Sequence, residues 1–553
     1  MTTIKYKLFP IFGLPIVGLL LAGMTIYAQT AEPSTIDVIV RFKQQTNQRS
    51  HQRLVSRGAK HKADLNLIDA AVYQVTPQEL EALQNDPNVD LVEPDRQLSG
   101  TLFSGMPDFG WLTAFQISKA SDFDTKYAGA GVKVAVIDSG INVTPLDLKG
   151  RVIFAKSFVP LDLNITDFYG HGTHVAGIIA GSGASSTGTG YTYLVRGIAP
   201  AVSLVSLKVL DKSGVGKDSY VIAAIEEAIA QGVDVINLSL GHPVYVKAAN
   251  DPLCQAVQKA WSKGIVVVVA AGNDGRNNAF GTYGYSTISS PGNSPYVITV
   301  GAANTRSTVS PADDRIASYS SKGPTLYDHT VKPDLVAPGN RVVSLNSLST
   351  LAFSHPENVV PYSAIYKGAL EFPTGYFQLS GSSMAAPMVA GAVALMLEKN
   401  SVLTPDTIKA RLMYTAEKFQ ATTYTIVEPS NGQIFTVQND VFTTGAGMLN
   451  IPDALNSSLN ISKPATSPIA SKNSKTGVVS FNRSTMAVWG ETGWKFNDVW
   501  GGMAVWGEMA VWGEGAVWGD MAVWSDMAVW GEMAVWGENS IAASTNVLFN
   551  GEN

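Results

Sequence analysis

Runs of branched apolar residues alternate with amphipathic stretches through the central part of the chain. The apolar runs begin near Val132, Val202, Val233 and Ile265, and stretches such as KDSYVIAAIEEAIAQG and DPLCQAVQKAWSKG separate them. Nearly continuous Val and Ile runs are typical of strands buried on both faces, and intervening helices favour parallel pairing. The pattern predicts an α/β unit with a parallel sheet flanked by helices, whose ligands bind beyond the carboxyl ends of the strands.

A different pattern occupies residues 29–105. Residues 36–43 alternate like a strand, a polar helix-compatible stretch follows, and AAVYQV and VDLVEPDRQL are strand-like on either side of a second helix. Thr76 and Pro77 are suited to begin that helix as its N-cap and first-turn proline. The predicted order β-α-β-α-β favours a small ferredoxin-like α+β unit.

A short apolar segment lies near the start of the chain. Lys5 and Lys7 precede an apolar run that extends to about Tyr27, and small residues such as Ala28 follow. Basic, apolar and small-residue regions in this order are typical of a cleavable signal peptide, with a retained membrane anchor as the alternative. We therefore expect residues 1–28 to direct export, which predicts a secreted, extracellular protein.

The C-terminal part of the chain is repetitive and rich in tryptophan. Residues 456–485 have the composition of a linker, residues 486–538 carry MAVWGE-type hexapeptide repeats, and residues 539–553 follow them. Large apolar rings repeated in register favour an ordered stack such as a β-solenoid. A low-complexity tail without a packed core is the alternative. In either form, the repeats suggest cell-surface attachment or self-association.

Charge and cysteine content narrow the partners of the chain. A formal net charge of -6 over 553 residues gives no electrostatic basis for binding nucleic acid, so no nucleic-acid partner is expected. The single cysteine, Cys254, cannot form an internal disulfide and is expected to be buried. Stability should then come from packing or from bound ions.

Four polar residues lie in short motifs that could carry chemistry. Asp138 ends the run VAVID, and Asn273 follows an apolar run in the motif AAGN. His171 lies between glycines in GHGTHVAG, and Ser383 lies where a loop turns into a helix of small residues. Taken alone, each has an ordinary structural explanation as an Asx turn, a packed ring or a helix cap. A serine at a helix N-terminus is also suited to be a nucleophile, because the helix end favours negative charge.

These motifs, in this order, resemble those of the subtilisin-like serine proteases (subtilases). The similarity lies in DSG after a strand, HGTHVAG, AAGN and GSSMAAP, where Ser382 replaces the usual threonine of the family and keeps a hydroxyl. The chain order acid, histidine, serine matches subtilisin and differs from the order in other serine hydrolases. The resemblance covers residues 106–455 and implies a subtilisin-like peptidase domain there.

The resemblance implies a role for each of these residues. The implied catalytic residues are Asp138, His171 and Ser383, the implied oxyanion donor is Asn273, and the implied substrate-binding residues are Ser239, Leu240 and Gly241. Protein or peptide substrates would add an extended strand beside residues 239–241. The implied chemistry requires no cofactor.

Neither histidine of GHGTHVAG is expected to bind a metal. His171 and His174 are three residues apart, whereas zinc-binding HExxH helices place their histidines four apart around an acidic residue. We expect His171 to be the general base and His174 to be a packed structural residue. Family members often bind calcium, and Asp147 matches one of the family's ligand positions. The partner loop lacks an obvious set of oxygen ligands, so structural calcium is not established and no metal site is assigned.

Together these features predict a secreted serine endopeptidase made as a self-processing zymogen. In the family, a segment like residues 29–105 is an inhibitory propeptide and folding chaperone that is later removed, so the chain's own propeptide is an expected partner. Two alternatives stay open at this point. One is a catalytically silent surface-binding protein that uses the Trp repeats, and the other is a serine esterase.

Overall fold

The computed structural model describes residues 35–43, 48–100, 126–160, 162–278, 281–306, 308, 311–367, 373–420, 422–428, 432–472 and 479–481. The predicted signal peptide and the Trp repeats lie outside these residues. No helix in the described part of the chain has the length and apolar character needed to cross a membrane.

Residues 36–94 form a small α+β unit. Its elements are β1 (Ile36–Phe42), α1 (Gln48–Val55), β2 (Lys60–Leu65), β3 (Ala70–Val75), α2 (Pro77–Gln84) and β4 (Val89–Pro94). The sheet is antiparallel with strand order β2-β3-β1-β4, so the unit has the ferredoxin-like order β-α-β-β-α-β. The predicted order was wrong because it lacked β2. The residues of β2, KHKADL, are mostly polar and exposed, so they give no apolar alternation.

The segment after α2 divides into two strands, although the sequence predicted one. β4 stays in the small sheet, whereas β5 (Gln97–Gly100) leaves it and joins a separate three-stranded sheet with strands of the larger unit. The two strands separate at Asp95, whose backbone N–H still donates to the carbonyl of Asp37 (3.0 Å). Because β5 directly follows β4 in the chain, the small unit is linked to the larger unit through this strand.

The larger unit contains the predicted alternation of strands and helices. Its elements up to the central sheet's last strand are β6 (Lys133–Asp138), β7 (Val152–Ser157), α3 (His171–Ala180), β8 (Ser203–Lys208), β9 (Val215–Lys217), α4 (Asp218–Ala230), β10 (Val235–Leu238), β11 (Leu240–Gly241), α5 (Pro252–Ser262), β12 (Val266–Ala270), β13 (Ile298–Asn304), β14 (Arg315–Ile316) and β15 (Leu335–Pro338). The later elements are β16 (Val342–Leu345), α6 (Thr350–Ser354), β17 (Val359–Pro361), α7 (Tyr362–Ile365), β18 (Pro373–Leu379), α8 (Ser382–Lys399), α9 (Pro405–Thr415), β19 (Thr423–Val427), β20 (Ile434–Gln438), α10 (Val441–Thr444), α11 (Ile451–Asn456), β21 (Ala470–Lys472) and β22 (Val479–Phe481).

A mostly parallel, eight-stranded sheet lies at the centre of this unit. Its strand order is β14-β13-β12-β10-β6-β8-β7, with β15 paired to β13, and every pair except β13 with β14 is parallel. All residues of β10 and β12 are buried, as expected for strands covered on both faces. The predicted α/β architecture, with a parallel sheet flanked by helices, is therefore confirmed.

Helix α8 packs across this sheet and is almost wholly buried. It contacts β10, β12, β13 and β15 as well as α3, and residues 382–397 are all buried. Small residues allow this close packing, since a Cβ on Gly391 would lie 2.6 Å from Ile198 Cβ. Helices α4 and α5 pack together, and Cys254 of α5 is buried, as predicted.

Two lysines and one aspartate form a fully buried charge cluster. Lys332 Nζ and Lys409 Nζ lie 2.7 and 3.1 Å from the two carboxylate oxygens of Asp334. Burial, together with the neighbouring ammonium of Lys409, lowers the pKa of Lys332 to about 7. The Asp334 carboxylate favours the charged form and raises this pKa, but the lowering effects are larger. Burial alone would raise the pKa of Asp334, but the two ammonium groups outweigh it and hold that pKa below its ordinary value. One carboxylate thus stabilises two buried cations.

Residues 457–472 pack on the larger unit, whereas the sequence predicted a linker from residue 456. Ser467 Oγ donates to Asp334 Oδ1 (2.6 Å), and Arg411 Nε donates to the carbonyl of Leu459 (2.6 Å). The backbone N–H of Val331 donates to the carbonyl of Pro468 (2.8 Å). Composition alone suggested a linker because Ser, Asn and Pro are frequent in this segment. Its hydrogen bonds to the charge cluster could not be predicted from composition.

Replacing Asp334 with alanine should lower the free energy of unfolding by about 3–5 kcal/mol, because two buried ammonium groups lose their counter-charge. The measurement is thermal unfolding at a fixed scan rate, with Ser383→Ala in every variant to prevent any self-digestion. Asp453→Ala is the control, since that carboxylate is exposed in the first turn of α11. Equal stability of the two variants would contradict the role given to Asp334.

Candidate active site

The carboxyl ends of β6 and β10 meet at one edge of the central sheet. Asp138 is the last residue of β6, and Ser239 directly follows β10. Ile137 pairs with Leu238 in parallel register, so Asp138 and Ser239 are neighbours on strands about 4.8 Å apart. The chain places β7 and β8 on one side of β6 and β10 on the other. This edge is therefore a topological switch point, where open α/β sheets bind ligands.

Asp138 and His171 form a buried hydrogen-bonded pair at this edge. His171 Nδ1 lies 2.7 Å from Asp138 Oδ1 and 2.9 Å from Oδ2, and both side chains are fully buried. A Cβ on Gly172 would lie 2.1 Å from the carbonyl oxygen of Gly140, so only glycine permits this approach. Because a carboxylate can only accept, the proton lies on Nδ1. His171 Nε2 is buried and has no hydrogen-bond partner in the described part of the chain.

Asp167 fixes the start of α3, and the sequence analysis did not identify it. Its carboxylate accepts hydrogen bonds from Gly170 N (2.7 Å), Thr173 N (2.8 Å) and Thr173 Oγ1 (2.7 Å). Ser139 Oγ, which follows Asp138, lies 2.9 Å from the same carboxylate. Burial raises the pKa of Asp167. The only sequence indication was an acidic residue shortly before the helix, a position that also suits an ordinary cap.

His174 is a buried structural residue, as the sequence analysis expected. Its Nε2 lies 3.2 Å from the carbonyl of Val342 and 3.0 Å from that of Phe377, so the ring links α3 to β16 and β18. Burial and the neighbouring His171 lower the pKa of His174 to about 3. The ring is therefore neutral at ordinary pH, and its Nε2–H donates a hydrogen bond to these backbone carbonyls.

Ser383 lies in the first turn of α8 and contacts the end of β10. Its hydroxyl donates to the carbonyl of Ser239 (3.0 Å), and the Ser239 hydroxyl donates to the carbonyl of Ser383 (2.9 Å). Asn237 Nδ2 donates to Ser239 Oγ (3.0 Å). The hydroxyl of Ser383 thus lies against the residue that neighbours Asp138. The structure gathers the sequence-predicted acid, histidine and serine at one end of the sheet.

Asn273 is held beside Ser383 by the intervening Ser382. Asn273 Oδ1 accepts from Ser382 N (2.9 Å), and Ser382 Oγ lies 3.0 and 3.1 Å from the backbone O and N of Gly272. Asn273 Nδ2 is buried and has no hydrogen-bond partner among the described residues. Buried donors are almost always paired. An amide without a partner next to a serine is therefore available to a bound ligand.

Strand β5 lies between β9 and β11, with its last residue beside His171. Gly100 pairs with Leu240 and Ser99 with Gly241 in antiparallel register, and β9 pairs with the opposite edge of β5. A Cβ on Gly100 would lie 3.4 Å from His171 Nδ1. Residues 240–241 therefore contact an extended strand. In this register Ser239 pairs with no residue of β5; its carbonyl accepts instead from the Ser383 hydroxyl.

The surroundings of Asp147 do not fit a calcium ion. Its buried carboxylate accepts hydrogen bonds from Ser185 N (3.1 Å) and from the hydroxyl of Tyr376 (3.3 Å). Tyr376 also contacts Ser186 Oγ (3.0 Å). Calcium requires six to eight oxygen ligands, whereas here a backbone N–H directs its proton at the carboxylate and a tyrosine hydroxyl contacts it.

Comparison with known proteins agrees with these motifs. Residues 129–447 match the model of the subtilase family. The chain is 36% identical over 405 residues to the serine protease AprX of Bacillus subtilis, covering 70% of this chain and 84% of that protein. It is also 36% identical over 397 residues to subtilisin E of Bacillus subtilis, covering 70% of this chain and 88% of that protein.

A solved structure has a related fold. The crystal structure of fervidolysin from Fervidobacterium pennivorans, described as a keratinolytic enzyme related to subtilisin, superposes with a TM-score of 0.57 at 23% identity. The match covers 79% of this chain and 63% of that chain. Fold, family match and relatives agree. The chain belongs to the subtilase family and is a subtilisin-like serine protease.

Proposed function

We propose that this chain is an exported serine endopeptidase, made as a precursor that cleaves itself, with Ser383 as nucleophile and His171 as general base. The proposal rests mainly on one observation. The buried Asp138–His171 pair, the Ser383 hydroxyl and the Asn273 amide, which has no partner among the described residues, lie at the same end of the sheet. An oriented imidazole, an alcohol and an amide donor are the groups that attack on a peptide carbonyl requires.

In the first step, Ser383 Oγ attacks the carbonyl carbon of the scissile peptide. A serine hydroxyl is a weak nucleophile at neutral pH, so His171 Nε2 takes its proton as the bond forms. Asp138 accepts from Nδ1–H, which keeps the tautomer that leaves Nε2 as a base and stabilises the imidazolium. For this transfer, the Ser383 hydroxyl must turn from the Ser239 carbonyl toward Nε2.

Negative charge then develops on the carbonyl oxygen. Asn273 Nδ2 and the backbone N–H of Ser383 would donate to that oxygen, and the N-terminus of α8 adds a favourable dipole. The hydrogen bond from Ser382 N fixes the Asn273 amide before substrate arrives, so little reorganisation is needed. Loss of one such donor costs about 10²–10³-fold in kcat, a magnitude measured on a subtilisin.

The second half of the reaction returns the enzyme to its starting state. The imidazolium of His171 gives its proton to the leaving amine, and the acyl group stays on Ser383 as an ester. A water molecule then attacks the ester carbon while His171 takes its proton. His171 returns that proton to Ser383 Oγ as the ester C–O bond breaks and the carboxylic acid product leaves. The same base therefore serves both steps, and no cofactor is needed.

The proposed substrates are extended polypeptide segments. A strand of substrate would lie between β9 and β11, where β5 lies in the precursor. Backbone hydrogen bonds to both neighbours give affinity that does not depend on side chains. Gly241 belongs to this binding strand because it pairs with Ser99 of β5. A Cβ at Gly241 would lie 2.5 Å from the carbonyl oxygen of Ser290, so a larger side chain would not fit there.

Residues 29–105 are proposed to be the inhibitory prosegment. Lys217 Nζ of β9 lies 2.7 Å from Asp37 Oδ2, and the Asp95 carboxylate accepts from Ser219 N (2.9 Å) and Ser219 Oγ (2.8 Å) at the start of α4. These contacts attach the small unit, and β5 extends from it across the substrate position. While it stays bound, no other strand can enter.

Export and the Trp repeats stay predictions from sequence. Residues 1–28 are proposed to be removed on export, which agrees with the extracellular location inferred above. Residues 486–538 are proposed to attach the enzyme to a surface or to another copy of itself. A protein that binds surfaces without cutting is the rival function, and it predicts that Ser383 has no reactivity.

The Ser383→Ala precursor should stay uncut, whereas the parent should acquire a new N-terminus among residues 101–106, shortly after Gly100 beside His171. Intact-mass spectrometry of both purified proteins measures this. Self-cleavage is ruled out if the pure Ser383→Ala protein is cut at the same bond. A mature N-terminus far from residue 101 would show that β5 does not lie in the substrate position.

Gly100→Val should slow the appearance of mature enzyme roughly tenfold or more, because small displacements of a reacting segment have large kinetic effects. A Cβ at this position would lie 3.2 Å from Leu210 Cδ1 and 3.4 Å from His171 Nδ1. Ser99→Val is the control, since Ser99 is exposed in the same strand. The measurement is the processing rate by gel densitometry, and equal rates for both variants would contradict the pairing.

His171→Ala should reduce turnover per folded molecule by about 10²–10⁴-fold or more, because the general base is lost. His174→Ala should instead lower the melting temperature, because its bonds to β16 and β18 are lost, while the folded fraction keeps most of its turnover. Activity titrated against folded protein separates the two effects. Full loss of turnover in folded His174→Ala would overturn the structural role of that ring.

A further inference from the structure

Strand β2 carries polar side chains that take no part in the site described above. A bulge between His61 and Ala63 shifts its pairing with β3. In a regular strand, residues three apart point to opposite faces, but a bulge turns one of them to the other face. His61 and Asp64 accordingly meet, with Nε2 lying 2.8 Å from Asp64 Oδ1.

His51 of α1 approaches the same carboxylate oxygen. Its Nε2 lies 3.4 Å from Asp64 Oδ1, and its Nδ1 lies 2.7 Å from the hydroxyl of Tyr73, a fully buried side chain. The ring centroids of His51 and His61 are 4.7 Å apart. The contact with Tyr73 orients the His51 ring, as outer-shell hydrogen bonds do for histidines that bind metals.

We propose that His51, His61 and Asp64 form a binding site for a divalent transition-metal ion of the zinc class. Among the described residues, one potential ligand atom from each lies within 4.8 Å of the other two. Zinc bonds to nitrogen and oxygen of 2.0–2.1 Å place tetrahedral ligand atoms about 3.3 Å apart. Small side-chain rotations bring the three atoms to that spacing. Two imidazoles with one carboxylate suit Zn²⁺, Co²⁺, Ni²⁺ or Cu²⁺ better than Mg²⁺ or Ca²⁺.

Access and charge favour an ion at this position. The side chains of His51, His61 and Asp64 are 22%, 32% and 46% exposed, so an ion can enter and water can complete its coordination. Three nearby cations pair with other carboxylates: Lys62 with Asp37, and Arg53 and Arg57 with Asp86. Asp64 therefore faces two imidazoles, and a metal ion would replace the protons that otherwise lie between them.

A bound ion would join α1 to β2 across residues 56–59, which separate them. Because the three ligands come together only in the folded unit, binding stabilises that fold. The further consequence, slower release of the small unit as a prosegment, rests on the proposed function. Metal binding itself does not.

The test uses the full-length Ser383→Ala protein, purified without a polyhistidine tag and titrated with Co²⁺ and then with Zn²⁺. The expected result is one Co²⁺ per chain with the visible d–d bands of tetrahedral coordination, lost when Zn²⁺ displaces it. Both His61→Ala and Asp64→Asn should abolish these bands; their side chains are partly exposed, so the fold should survive. His355→Ala is the matched control, because His355 pairs with Glu357 (3.2 Å) and, among the residues that the structure describes, belongs to no group of three potential metal ligands.

The proposal is overturned if the parent shows no tetrahedral cobalt bands at saturation. It is equally overturned if His61→Ala binds as tightly as the parent, or if His355→Ala removes binding. Mass spectrometry of the titrated sample shows whether the small unit is still attached. A failure of the proposed self-cleavage is thus seen separately from a failure to bind the ion.

Discussion

The hydrogen bond between the Asp138 carboxylate and His171 Nδ1 is the interaction on which the site depends. Both groups are fully buried, so the bond is strong and an unpaired carboxylate there would be costly. Asp167 fixes the first turn of α3, and Gly172 allows that turn to reach the end of β6. With the proton on Nδ1, Nε2 becomes the acceptor. The neighbouring β10 positions Ser239, which contacts the Ser383 hydroxyl.

The same edge of the fold explains why a precursor is useful. Without β5, the facing edges of the short strands β9 and β11 would have unpaired backbone groups, and such edges pair readily with any extended segment. β5 fills this position and ends beside His171. Under the proposed function, the contacts that recognise substrate are therefore the contacts that hold the small unit in place. Inhibition and self-cleavage would then follow from one set of hydrogen bonds.

Sequence indicated most of the central architecture, because buried parallel strands such as β12 are continuous apolar runs. It missed β2, whose exposed polar residues carry no periodic pattern, and β9, which is only three residues long. It also missed Asp167, since a carboxylate before a helix is common and its buried partners come from the fold. The packing of residues 457–472 on the larger unit could not be predicted for the same reason. Long-range contacts to Asp334 leave no trace in local composition.

The most direct test of the account is to map the residue modified by a fluorophosphonate on mature, casein-digesting enzyme. The account predicts a single adduct on Ser383, identified by peptide mass spectrometry. An adduct on another residue, or an active enzyme whose Ser383 stays unmodified, would contradict it.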